Sequence, residues 1–132
     1  LLFESREQAS ADLLLGDRLN GEIESAAMPW MHRHVGTPAL SALLRFRYPG
    51  LGDLRDCNSG LRLIRKNSLD SWKLDADGME IASQMLIRAA VKGSQVRSIP
   101  IRFRSSPFPR RGHLRPLRDG LRHLQTILRT TN

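Results

Sequence analysis

The chain has 132 residues, room for one domain of ordinary size. Its 40% hydrophobic, 26% charged and 5% aromatic content is globular and excludes a disordered tail, and no apolar run approaches the ~20 residues of a membrane-spanning helix. The formal charge is +8, and a single cysteine, Cys57, excludes an internal disulfide framework and points to a reducing compartment.

The opening Leu-Leu-Phe-Glu has neither an initiator Met nor a signal-peptide pattern, so the chain reads as a piece of a longer one. Residues 11–15 form an apolar run stopped by Gly16, a buried strand entering a loop. Residues 20–36 carry Gly21, Pro29 and Gly36 without periodicity and read as an irregular connection. Thr37-Pro38 suits a helix start, with Thr37 as N-cap, and Pro49-Gly50 ends that helix. A strand follows over 59–65, after the loop at 53–58. Asp77-Gly78-Met79-Glu80 has capping-box spacing and opens a second helix that closes at Gly93. Ile99, Ile101 and Phe103 alternate with Pro100, Arg102 and Arg104, a strand with one wet side. A Pro-, Arg- and Gly-rich loop spans 105–116. The last helix runs from about Pro116 to Arg129, with Leu117, Leu121, Leu124 and Leu128 on one stripe and Arg118, Arg122, Gln125 and Arg129 opposite. Strands alternating with helices predict an α/β fold, although three strands make a thin sheet.

The positive charge is concentrated near the C-terminus. Residues 1–96 balance 12 basic against 12 acidic side chains, whereas residues 97–132 hold nine arginines against Asp119. Guanidinium forks match phosphate oxygens in pairs, so this cluster suits nucleic acid, a phosphorylated small molecule or an anionic membrane surface, or else forms a solvated basic face. Low aromatic content and the lack of a helix-turn-helix pattern argue against nucleic acid, leaving a basic nucleic-acid-binding module as the competing class.

Six segments occur in a telling order: Gly16-Asp17-Arg18; Ala27-Met28-Pro29-Trp30-Met31-His32-Arg33; Asp56-Cys57-Asn58-Ser59-Gly60-Leu61-Arg62; Gly78-Met79-Glu80-Ile81-Ala82-Ser83-Gln84-Met85; Ile99-Pro100-Ile101; and Gly112-His113-Leu114-Arg115-Pro116-Leu117-Arg118-Asp119-Gly120. Together they resemble family-2 glycosyltransferases of the dolichyl-phosphate mannose/glucose synthase type, especially the bacterial polyprenyl-phosphate branch. The resemblance implies the C-terminal half of a GT-A fold. Residues 1–115 would then be catalytic domain and 116–132 an amphipathic basic helix of the same domain. It also implies transfer of a hexose, with inversion, from a nucleotide-diphosphate sugar to a polyprenyl phosphate at the cytoplasmic face of a membrane. A divalent cation, Mg or Mn, would be held by an Asp-x-Asp motif upstream of this chain. Asp75-Ala76-Asp77 has those letters in the wrong place and reads as a helix start, so no metal ligand is assigned here.

By the same resemblance Arg18 looks to a donor or acceptor phosphate, and Arg33 faces the acceptor phosphate. Asp56 borders the reacting centre as the catalytic candidate, and Asn58, Ser59 and Arg62 complete its substrate-binding stretch. From the residues alone, Arg18 also suits a local ion pair, Asp56 an Asx turn, and Arg62 a solvent-facing strand position. Arg110, Arg111, His113 and Arg115 occupy the place of the family's acceptor loop, where their charge suits a phosphate clamp. Gln84 departs from the Glu of many relatives, and an amide carries no charge. Cys57 has no base at evident spacing and reads as a buried small hydrophobe. A phosphate acceptor attacks as an anion and needs no general base. A hydroxyl acceptor, the alternative substrate class, would need one, with Asp56 the leading candidate.

Overall fold

The structure is a computed structural model that describes residues 10–24, 27–52, 54–105 and 116–129. Its elements are β1 (Leu13–Asp17), a π-helical turn (His32–Gly36), α1 (Thr37–Arg47), a 3-10 turn (Pro49–Leu51), β2 (Arg62–Ile64), α2 (Lys66–Trp72), α3 (Ile81–Val91), β3 (Val96–Pro100) and α4 (Pro116–Arg129). This is a mixed α/β arrangement around one three-stranded sheet, ordered β2-β1-β3.

β1 is central and buried at all five positions. Burying Leu13, Leu14 and Leu15 contributes about 2 kcal/mol each relative to exposure, which makes this strand the organising one. It pairs antiparallel with β2 (Leu13 opposite Ile64) and parallel with β3 (Leu13 opposite Val96, Asp17 opposite Pro100). The strand does not stop at Gly16 as expected. Gly16 donates its N–H to Leu61 (2.9 Å) and lies in the pleat under Ile101, so pairing carries on to Asp17. Beyond β3, the Ile101 N–H bonds to the Asp17 carbonyl at 3.0 Å and Phe103 bridges Ile23. Pro100 is tolerated because the alternation of the parallel ladder points its missing donor away from β1. Gly21 is required by contact: a Cβ there would lie 1.9 Å from the Ile101 carbonyl oxygen.

Thr37 is not an N-cap. The helix enters from Trp30, Gly36 has helical dihedrals, and Thr37 is a buried residue inside it whose N–H reaches the His32 carbonyl in a π-type bond. Pro38 explains the widening, because within an α-turn its ring would clash with the carbonyl four residues back. The capping box at 77–80 does not form either: no side chain caps α3, which starts on tight Ile81–Gly78 and Ala82–Met79 backbone bonds. Its closure at Gly93 is as expected, with positive φ there and Ser94 N–H returning to the Ala89 carbonyl. α2 has no counterpart in the sequence reading. It buries Trp72, whose indole donates to Ser94 Oγ (3.2 Å), and ends on the left-handed Lys73.

The core gathers Leu13, Leu15, Leu44, Leu54, Trp72, Leu86, Ile87, Val96 and Ile127. α4 has the expected bounds but faces inward differently: Ile127 and His123 are buried, whereas Leu121 and Leu128 are 58% and 54% exposed. The bond between His123 Nδ1 and Ser83 Oγ (2.8 Å) fixes this rotation by satisfying two polar groups at the α3–α4 contact.

Candidate functional site at the end of the central strand

β1 delivers Arg18 to the carboxyl end of the sheet, where α/β folds place their ligand crevices. There the guanidinium meets Asp56, held in the loop between the 3-10 turn and β2. Arg18 Nε donates to Oδ2 (2.7 Å), Nη2 donates to Oδ1 (2.8 Å), and the Arg18 backbone N–H donates to Oδ2 (3.1 Å). The Asp56 side chain is 1% exposed and that of Arg18 16%. The Phe103 ring lies 5.3 Å from the guanidinium carbon, adding a cation–π contact. Charge-assisted forks of this kind set orientation as well as energy. Arg18 is therefore fixed in one direction, and its Nη1 makes no hydrogen bond among the described residues.

The loop after Asp56 is tied down throughout. Cys57 N–H bonds Ser41 Oγ (3.0 Å), and Asn58 Nδ2 reaches Thr37 Oγ1 (3.4 Å), so both rest on the buried face of α1. Burial pushes the Cys57 thiol up to about 11, which suits a packing residue and not a nucleophile. Arg62 turns back over the loop and donates to the carbonyls of Ser59 (2.9 Å), Ala82 (2.8 Å) and Cys57 (2.7 Å). Its burial lowers the guanidinium pKa from the usual arginine range. This arginine braces the loop against α3, in place of the solvent-facing strand position that the sequence also allowed. Ser59 Oγ is buried beside these groups with no hydrogen-bond partner among the described residues, an orphan that calls for an explanation.

Of the sequence candidates, Arg18, Asp56, Asn58, Ser59 and Arg62 thus converge on one loop and strand end. Arg33 is exposed on the π-helical turn, four residues before the Thr37 that Asn58 contacts. Arg110, Arg111, His113 and Arg115 lie outside the described residues.

Gln84 has a defined task. Its Oε1 accepts the N–H groups of Asp75 (3.1 Å) and Ala76 (3.0 Å), and its Nε2 donates to Asp75 Oδ1. The amide's mixed donor and acceptor character is what this loop uses, and a carboxylate could not donate to Asp75. Asp75 is thereby committed to Gln84. Among the described residues no group of three or more His, Cys, Asp or Glu side chains could hold a metal ion. Sequence reasoning did not reach Phe103, taken as one more residue of the strand's alternating apolar side, or the loop anchors Thr37 and Ser41. Only the two-residue alternation of Ile99, Ile101 and Phe103 pointed to the first, and the hydroxyls carried no signal.

Over 120 residues, 89% of the chain, the sequence is 36% identical to the low-salt glycan biosynthesis hexosyltransferase Agl6 of Haloferax volcanii. This chain is similar to part of a hexosyltransferase. It spans 28% of that relative's length. No protein-family model and no solved structure matches the chain.

Proposed function

We propose that this chain is the phosphate-gripping portion of a glycosyltransferase, one that moves a hexose from a nucleotide-diphosphate sugar to a polyprenyl phosphate with inversion. One observation carries the reading: Arg18, at the end of the central strand, is aimed by the Asp56 fork and the Phe103 ring, with Nη1 left to meet a phosphate oxygen. The likeness to a hexosyltransferase over most of the chain supports the reaction class.

In this reading Arg18 binds phosphate and Asp56 is a positioning residue, since both of its oxygens accept from Arg18. Ser59 Oγ supplies a hydrogen bond to substrate, Asn58 and Arg62 hold the loop that presents it, and Arg33 adds positive charge on the acceptor side. Arg110, Arg111, His113 and Arg115 extend the grip. A phosphate monoester is largely dianionic near neutral pH and attacks the anomeric carbon without a protein base. The protein's task is then to align two anions and offset their charge. Alignment lowers barriers by roughly 7–11 kcal/mol in favourable cases. A divalent cation, held outside these residues, would neutralise the departing diphosphate. The reading places the protein at the cytoplasmic face of a membrane and belongs to a GT-A fold of which this chain is the C-terminal half. Among the described residues no helix is long and apolar enough to cross a membrane. The outward Leu121 and Leu128 of α4, with Arg118 and Arg129, suit a peripheral contact with anionic lipid.

The test is incubation of the full-length protein with UDP- or GDP-hexoses and undecaprenyl or decaprenyl phosphate. Labelled glycolipid is expected, and transfer confined to hydroxylated acceptors overturns the substrate class.

A further inference from the structure

The buried face of α1 carries two hydroxyls where a helix packed on a core ordinarily brings apolar groups. Thr37 and Ser41, one turn apart, are 2% and 1% exposed, and Leu44 completes that face. Burying a hydroxyl costs free energy unless it is hydrogen-bonded, and the partners of both lie in the loop after Asp56. Thr37 Oγ1 takes a side-chain donor, Asn58 Nδ2, at 3.4 Å, whereas Ser41 Oγ takes the backbone N–H of Cys57 at 3.0 Å. That N–H belongs to the planar peptide unit that begins at the Cα of Asp56. On the other side of the same residue, Arg62 Nη2 donates to the Cys57 carbonyl at 2.7 Å. The backbone next to Asp56 is thus clamped between α1 and Arg62.

We infer that Ser41 is a positioning residue for Arg18, acting through the peptide between Asp56 and Cys57. Asp56 aims the guanidinium with both carboxylate oxygens, at 2.7 and 2.8 Å, and a two-bond fork tolerates little displacement of its acceptor. Removing the Ser41 oxygen leaves the buried Cys57 N–H unpaired, and the peptide then turns toward another acceptor or toward water. Asp56 turns with it, and Arg18 loses its single direction. The consequence for catalysis rests on the proposed role of Arg18 toward phosphate. The path from Ser41 to the fork does not, and it can be tested without catalysis.

The experiment follows the arginine side chains of the full-length protein by NMR, with isotope-labelled arginine. An Nε–H that donates to a carboxylate at 2.7 Å should give a slowly exchanging signal, and its loss in Arg18→Gln assigns it to Arg18. Ser41→Ala should speed exchange of that signal about tenfold or more, the scale of one unsatisfied buried donor. Thr37→Ala removes a buried hydroxyl from the same face but leaves the Cys57 N–H paired, so it should leave exchange near the wild-type rate. Ser41→Cys, whose sulfur is a weaker acceptor, serves where Ser41→Ala does not fold, and should give an intermediate rate. In hexose transfer to polyprenyl phosphate, Ser41→Ala should lower kcat/KM about 10–100-fold, the scale of a misplaced positioning group. On the Arg18→Gln background the same substitution should have no further effect, which a mere loss of folded enzyme would not reproduce. Unchanged Arg18 exchange in the Ser41 variants overturns the inference, and so does a wild type without the protected signal. A full additional loss of rate on the Arg18→Gln background overturns it equally. Absence of transfer by the wild type overturns the proposed function instead, and the exchange rates still decide the role of Ser41.

Discussion

Replacing Asp56 by Asn tests the linkage that orients Arg18. The substitution keeps shape but removes the negative charge, and it turns one acceptor into a donor facing an Arg18 N–H. Three bonds at 2.7, 2.8 and 3.1 Å are affected. Breaking a buried ion pair costs about 3–5 kcal/mol when the abandoned charge stays buried. Here Asp56 is buried but Arg18 retains 16% exposure, so water takes up part of the loss, and about 2–3 kcal/mol is the expected cost. For a domain near this size that lowers the melting temperature by roughly 8–15 °C. The assay is thermal unfolding of Asp56→Asn, Arg18→Gln and the double variant. The account predicts that the double variant costs at least 1 kcal/mol less than the two single variants added together. Additivity within about 0.5 kcal/mol would refute the coupling, and with it the claim that Asp56 aims Arg18.

Gln84→Glu should destabilise by about 1–3 kcal/mol at pH 7, because a carboxylate replaces the donor facing Asp75, and the loss should shrink near pH 4 as carboxylates protonate; denaturant midpoints at the two pH values check this. Gly21→Ala should cost more than 2 kcal/mol, with a Cβ driven into the Ile101 carbonyl, whereas Gly60→Ala, with open space around it, should be close to neutral. The raised Cys57 pKa means that the folded state disfavours the thiolate. The thiol's contribution is thus fully present below the unfolded value near 9 and is lost as pH rises toward about 11, so stability should fall across that window in wild type and less in Cys57→Ala. Native protein at pH 8 should react with a thiol reagent far more slowly than denatured protein.

The parts of this molecule that were legible in the sequence are those set by local chemistry. The apolar run at 13–15, the Gly93 closure and the extent of α4 follow from patterns within one segment. Burial decided by a distant partner was not legible. α4 turns inward on Ile127 and His123 because Ser83 on α3 offers a bond, and no spacing within α4 contains that information. The π-helical turn arises from a conflict between Pro38 and a continuing helix, which a capping pattern conceals. α2 went unread because seven residues give too few turns for periodicity to show, although Trp72 is its buried anchor. At the candidate site the ordered motifs marked the Asp56–Arg62 stretch. The division of labour within it is tertiary: Arg62 braces carbonyls, whereas Arg18 keeps a free donor.

The most direct measurement of the central claim is the initial rate of hexose transfer to polyprenyl phosphate by full-length Arg18→Gln, at a temperature where circular dichroism shows it folded. The account predicts a loss on the order of 10²–10³-fold, as for removal of a donor that stabilises developing charge. Transfer at the wild-type rate would contradict it.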